Sequence, residues 1–303
     1  MALYRQDKQQ LKGIRQEPFR LEKDLQSIVE SNLGVLLNLE LVRSEFPIQN
    51  FRIDSLAYDK EAKAFIIIEY KRNQNFSVVD QGYAYLAVML NNKADFILEY
   101  NEQMKKTLKR DEIDWSQSRV LFVAPSFTDY QRESINFRDL PIELYEARQY
   151  EGGVFSFSQV QKVRATESIK TISKGSDTTE QVTREVKVYT EAEHLAGISE
   201  GTMELYDRFK ERIMSLGEME IVPRKQYIAF KANRNVADVL IQKSQLKIWL
   251  NLRSGQLHDP AGLAKDVSEI GHWGNGDYSV RLDSEDQLDE VMVLVKQSFK
   301  VNS

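Results

Sequence analysis

Asp54 and the run Glu69-Tyr70-Lys71 are the residues of this sequence best suited to chemistry. A turn centred on Glu61-Ala62 would pair Lys60 with Lys63, Tyr58 with Phe65 and Leu56 with Ile67, and set Asp54 directly opposite Glu69. Side chains alternate along a strand, so Glu69 and Lys71 share a face, and Asp54 joins them there. Two carboxylates about 5 Å apart repel, and one tends to stay protonated unless a cation is present. The sequence has no cysteine and only three histidines, His194, His258 and His272, none at ligand spacing, which argues against zinc. The expected metal is therefore Mg2+ or Mn2+ on Asp54 and Glu69, helped by a backbone carbonyl beside Glu69. Such an ion lowers the pKa of a bound water and offsets charge on a phosphoryl oxygen. Lys71 would orient or deprotonate that water, or neutralise the transition state. Glu30, at the end of the first helix, is expected as a further ligand through water. The plain alternative is a salt bridge at the end of a sheet. Glu69 follows the apolar run Phe65-Ile66-Ile67-Ile68, where an unpaired charge is costly, and this favours the site.

The elements that must position these groups follow from periodicity. Leu21, Leu25, Ile28, Val29 and Leu33 recur at helical spacing, predicting a helix over 19–33 that Gly34 stops. Strands are expected over 39–46, 51–58 and 64–71, then a helix over 77–91 with Ser77 as its N-cap. A short strand at 95–99 and a helix near 102–110 come next, followed by a strand at 119–124, a helix at 128–137 and a strand at 142–148. That order predicts an α/β fold with a mixed sheet flanked by helices.

From residue 166 to 190 Ser, Thr, Lys and Glu dominate, which reads as an exposed linker, in part a hairpin arm. The expected division is a domain over 1–165, this linker, and a small α+β domain over 191–303 with an antiparallel sheet. That second domain should carry a helix over 202–216, strands near 226–231, 236–241, 246–252 and 278–282, and a final helix over 285–300. Gly271-His272-Trp273-Gly274-Asn275-Gly276-Asp277 is its most unusual string. Without a following Lys-Ser/Thr it is read as a tight turn with Trp273 packed inward, ahead of the strand at Tyr278.

Glu30, Asp54 and Glu69-Tyr70-Lys71, in the order helix, strand, strand with Asp, strand with Glu-X-Lys, helix, resemble the PD-(D/E)XK nuclease superfamily, the restriction-endonuclease-like fold. Gln81 and Tyr85, a Gln-X-X-X-Tyr pair on the following helix, are similar to its RecB-like branch, and at this spacing they share one helix face. The resemblance covers 19–99 and, more weakly, continues to 161. Ile53-Asp54 replaces the family's Pro-Asp. The resemblance implies a metal-dependent endo- or exonuclease that hydrolyses phosphodiester bonds of nucleic acid, DNA in the first instance. It also implies catalytic roles for Glu30, Asp54, Glu69, Lys71, Gln81 and Tyr85. The rival reading is a catalytically silent module that keeps the fold to bind nucleic acid or protein. The second half is similar to a domain often found behind nuclease-like domains, and that likeness implies no activity.

Bulk properties bound these expectations. A chain of 303 residues, 42% hydrophobic and 29% charged, is long enough for two cores. Its net charge of -5 excludes an overall electrostatic footprint for nucleic acid, though not local basic flanks. Lys105, Lys106, Lys109 and Arg110 are read as a solvated helix face. The start of the chain lacks a signal-peptide pattern and no apolar run spans a membrane, so the cytoplasm is the expected compartment. The second domain is expected to select substrate, bind a protein partner or mediate homodimerisation.

Overall fold

The computed structural model describes residues 2–74, 76–162, 167–169 and 177–303. The chain divides between Val188 and Tyr189 into two compact units. The first holds, in order, β1 (Leu3–Asp7), β2 (Gln10–Ile14), β3 (Gln16–Glu17), α1 (Glu22–Ser31), α2 (Leu33–Leu36), β4 (Glu40–Ile48), β5 (Phe51–Asp59) and β6 (Ala64–Tyr70). After these come α3 (Val78–Asn91), α4 (Lys93–Met104), β7 (Arg119–Ala124), α5 (Asp129–Ser134), β8 (Ile142–Tyr150), β9 (Val154–Gln159) and α6 (Asp177–Glu185).

β1 and β2 form a separate hairpin, and the other strands make a mixed seven-stranded sheet in the order β3-β8-β7-β6-β5-β4, with β9 also on β8. β6, β7 and β8 run parallel, while the remaining pairs are antiparallel. Every residue of β6 is buried, as expected of a strand covered on both faces. Phe65 and Ile67 pack with Leu86, Met89, Phe96 and Tyr100 of α3 and α4. Ile66, Ile68 and Tyr70 pack on the other side with Leu25 and Val29 of α1. The α/β fold with helices on both faces of a mixed sheet is thus the architecture expected.

Several local expectations change. Residues 95–99 lie inside α4 rather than in a strand, because Phe96 and Tyr100, four apart, both enter the core while Leu98 between them is exposed. α1 ends at Ser31, and Gly34 falls inside the short α2. Lys105, Lys106, Lys109 and Arg110 lie beyond the end of α4, exposed, with Lys106 paired to Glu40. Part of the stretch read as linker, including Gly175-Ser176, lies outside the described residues. Its remainder contains α6, which packs on α3 and buries Val182. β1, β2, β3 and β9 were not expected from the sequence pattern.

The second unit contains α7 (Glu191–Leu195), α8 (Glu200–Met214), β10 (Glu220–Pro223), β11 (Ile228–Lys231), β12 (Asn235–Ile241), β13 (Leu246–Leu250), β14 (Lys265–Asp266), β15 (Tyr278–Leu282) and α9 (Leu288–Asn302). Its six strands form one sheet in the order β10-β11-β12-β13-β15-β14, antiparallel throughout. Tyr206, Phe209 and Ile213 of α8 and Val291 and Val295 of α9 cover one face, against Ile228, Val239, Ile248 and Val280. This is the expected small antiparallel domain. Trp273, however, is 59% exposed rather than packed inward. Among the described residues no helix is long and apolar enough to cross a membrane.

Candidate active site

The β5–β6 hairpin pairs Tyr58 with Phe65, Leu56 with Ile67 and Ser55 with Ile68. Its turn is held by Asp59, whose Oδ1 accepts the amides of Glu61 at 3.0 Å and Ala62 at 2.9 Å. Asp54 and Glu69 come next in that register, and there the backbone ladder gives way to side chains. The Asp54 amide donates to Glu69 Oε1 at 3.2 Å, and the Tyr70 amide donates to Asp54 Oδ2 at 3.0 Å. Lys71 Nζ lies 3.3 Å from Glu69 Oε2, and the Lys71 amide donates to the Val123 carbonyl at 2.9 Å, extending the parallel β6–β7 pairing. Asp54, Glu69 and Lys71 therefore meet at one point.

Helix α3 adds to this point from the side. Ser77 caps it, accepting from the Asp80 amide. Tyr85 comes close enough to Glu69 for the two groups to shift one another's titration. One turn earlier, Gln81 has a buried Oε1 with no hydrogen-bond partner. A buried amide oxygen left unpaired is costly, and here it sits on the helix that lines the carboxylates.

Glu30 goes elsewhere. Its Oε1 accepts from Ser55 Oγ at 2.5 Å and from Gln26 Nε2 at 2.8 Å, and Ser55 also bonds the Tyr70 hydroxyl at 3.1 Å. Ser55 and Tyr70 are the neighbours of Asp54 and Glu69 along each strand, and Tyr70 packs toward α1. Glu30 is thus tied to the α1 side of the hairpin and is not gathered with the carboxylate pair. Gln26, which the sequence reading missed, links the two: its Nε2 also donates to the Asp54 carbonyl at 2.9 Å. Its spacing of four from Glu30 on one helix was the available signal. Glu22 and Glu45 were missed as well. Glu22 accepts from the Arg72 amide at 2.7 Å, Glu45 pairs with Lys23 at 2.9 Å, and both add negative charge near Asp54.

The electrostatics follow from burial. Glu69 is 1% exposed, and desolvation first, then the adjacent Asp54, push its carboxyl up to about 7 against the pull of Lys71. Asp54 is also raised, chiefly by burial, with the Tyr70 amide and Lys71 opposing. The phenol of Tyr85 is raised by burial and by Glu69. One lysine does not compensate two buried carboxylates. Among the described residues no group of three His, Cys, Asp or Glu side chains is placed to hold a metal ion. The carboxylate pair still fits a small hard cation, which takes one or two carboxylates and keeps several waters.

Fold and site together define a two-unit α/β protein with a carboxylate–lysine cluster at the end of its first central hairpin. The chain belongs to the same family as an uncharacterized protein of Haemophilus influenzae. The two are 48% identical over 301 residues, which covers 99% of this chain and 100% of that one. Residues 191–302 match the model of a domain of unknown function, DUF5655. Among solved structures, a repair endonuclease from Pyrococcus abyssi aligns at 18% identity and a TM-score of 0.22, over 39% of this chain and 44% of that one. An overlap of that size carries no argument about this chain.

Proposed function

We propose that the first unit is a metal-dependent nuclease of the PD-(D/E)XK type, which hydrolyses phosphodiester bonds of nucleic acid, DNA in the first instance. The observation that carries this reading is the meeting of Asp54, Glu69 and Lys71 at one buried point where two carboxylates share a single ammonium. Asp54 and Glu69 would hold Mg2+ or Mn2+, which supplies an acidified water and charge neutralisation at the phosphoryl group. Lys71, its Nζ paired with Glu69 and its amide with Val123, would orient the attacking water and offset charge in the transition state. Tyr85 acts on the Glu69 carboxyl from α3, and Gln81, one turn earlier on that helix, would support the site from behind with its buried amide. Glu30 acts at one remove in this reading, steadying Ser55 and, with Gln26, the backbone of Asp54.

The test is cleavage of supercoiled and linear DNA and of RNA by the full chain with Mg2+ or Mn2+, beside Asp54→Ala. Metal-dependent cutting that Asp54→Ala removes supports the reading, and loss of supercoiled circles separates endonuclease from exonuclease. Absence of such cutting on every substrate leaves the catalytically silent module in its place. For the second unit we propose a role in substrate selection, protein binding or self-association.

A further inference from the structure

In the second unit, the sheet face turned away from α8 and α9 gathers positive charge. β13 and β15 pair Lys247 with Arg281 and Trp249 with Ser279, and β14 sets Lys265 beside Ser279. These residues alternate with Ile248, Leu250, Val280 and Leu282, which enter the core. Lys247, Lys265 and Arg281 line one cavity of about 480 Å³ together with His272 and Ser279, Gln287 and Val291 close it from the α9 side, and no carboxylate lines it. Two like charges directly opposite each other on neighbouring strands destabilise a sheet.

The cavity wall is fixed in place. The loop carrying Gly271 and His272 lies flat on β13: a Cβ on Gly274 would come within 2.5 Å of the Trp249 ring, and one on Gly276 within 1.7 Å of the Leu250 carbonyl oxygen. Asp238 pins the same loop by accepting the Asn275 amide at 2.7 Å and its Nδ2 at 3.0 Å. His272 stacks on Trp249, with ring centroids 6.0 Å apart and planes 19° from parallel, and Lys247 Nζ sits 4.9 Å from the Trp249 centroid. The Nδ1 of His272 is buried with no hydrogen-bond partner. Val267 and Ile270 supply an apolar side to the same cavity.

We propose that this cavity binds a small organic phosphate, a phosphomonoester whose dianion sits among Lys247, Lys265 and Arg281 and whose organic part lies against Val267 and Ile270. Three cations suit a doubly charged group better than a single carboxylate, and the guanidinium fork matches phosphate oxygens in pairs. The volume is that of a small-molecule site. All of its lining residues belong to the second unit.

Calorimetry on the full chain in chelator, with inorganic phosphate, adenosine 5′-monophosphate and a short single-stranded oligonucleotide as separate probes, tests this. The expected result is saturable binding of both small phosphates, tighter for the monophosphate ester. Arg281→Gln and Lys247→Gln should each weaken it about tenfold or more, the size of one lost charge-assisted contact. Arg281→Lys should retain part of the affinity, and Lys247→Gln should melt no lower than the parent without phosphate, since it removes the like-charge pair. Equal affinity in parent and variants, no binding of either small phosphate, or binding of the oligonucleotide alone would each overturn the proposal.

Discussion

Glu69 in the first unit and Asp238 in the second are both carboxylates removed from water, at 1% and 0% exposure, and burial pushes both upward, to about 7 and about 6. Their surroundings differ. Asp238 takes Asn235 Nδ2 on one oxygen, at 3.1 Å, and both the amide and the Nδ2 of Asn275 on the other. Asn275 in turn donates to the Tyr227 hydroxyl at 2.8 Å, which extends the network. Glu69 faces a second acid, Asp54, which raises it further, and on α3 Gln81 keeps a buried, unpaired oxygen. Burial alone therefore does not mark a site. An acid surrounded by donors pins a loop, whereas an acid facing another acid is short of positive charge.

The largest effect that separates the two should be on activity. Asp54→Ala is expected to lower metal-dependent cleavage by about a thousandfold, roughly 4 kcal/mol in the barrier, while Asp238→Ala leaves the cutting rate of the folded protein within a few-fold. Comparable losses from both would erase the contrast.

Stability against pH comes next. A carboxyl raised in the folded state stabilises below its unfolded value, and that contribution is lost as pH rises through the folded value. For Glu69 the window runs from 4.5 to about 7, and for Asp238 from 3.8 to about 6. Each span corresponds to about 3 kcal/mol. Glu69→Gln should remove the decline that centres nearer 7, and Mg2+ should shift only that part. Denaturant unfolding between pH 4 and 8 reads both, and a decline untouched by Glu69→Gln would refute the assignment.

Asp238→Ala strands the donors of Asn235 and Asn275 and should destabilise the chain by about 2 kcal/mol, seen as a lower melting temperature. The smallest effect is expected at Tyr85. The Tyr85 hydroxyl opposes the rise of Glu69, so Tyr85→Phe should move the pH–rate profile upward and cost about 1 kcal/mol in rate. An unchanged profile would mean that Tyr85 does not act through Glu69.

The hairpin that carries the candidate site was legible because its signal is local. Alternation with a period of two, one polar turn and matching cross-strand partners set Asp54 against Glu69 without knowledge of anything else in the chain. The N-cap at Ser77 and the spacing of Gln81 and Tyr85 were local in the same way. The segment 95–99 was not, since a short apolar run fits either period and only the burial of Phe96 and Tyr100 against the sheet decides for a helix.

Glu30 marks where local reasoning stops. Its position on α1 was correctly read, but the direction of its carboxylate depends on how Leu25 and Val29 seat that helix on Ile68 and Tyr70, which turns it to Ser55. The exposure of Trp273 is of the same kind, because Gly274 and Gly276 press their loop onto β13 and bring His272 against Trp249. The amino-acid sequence by itself determined the strand and helix periods and the register of the hairpin, since these rest on neighbours in the chain. Only the tertiary structure decided which side chains reach one another across layers. Rotation of a helix about its own axis and the approach of a loop to a sheet are set by packing, not by spacing.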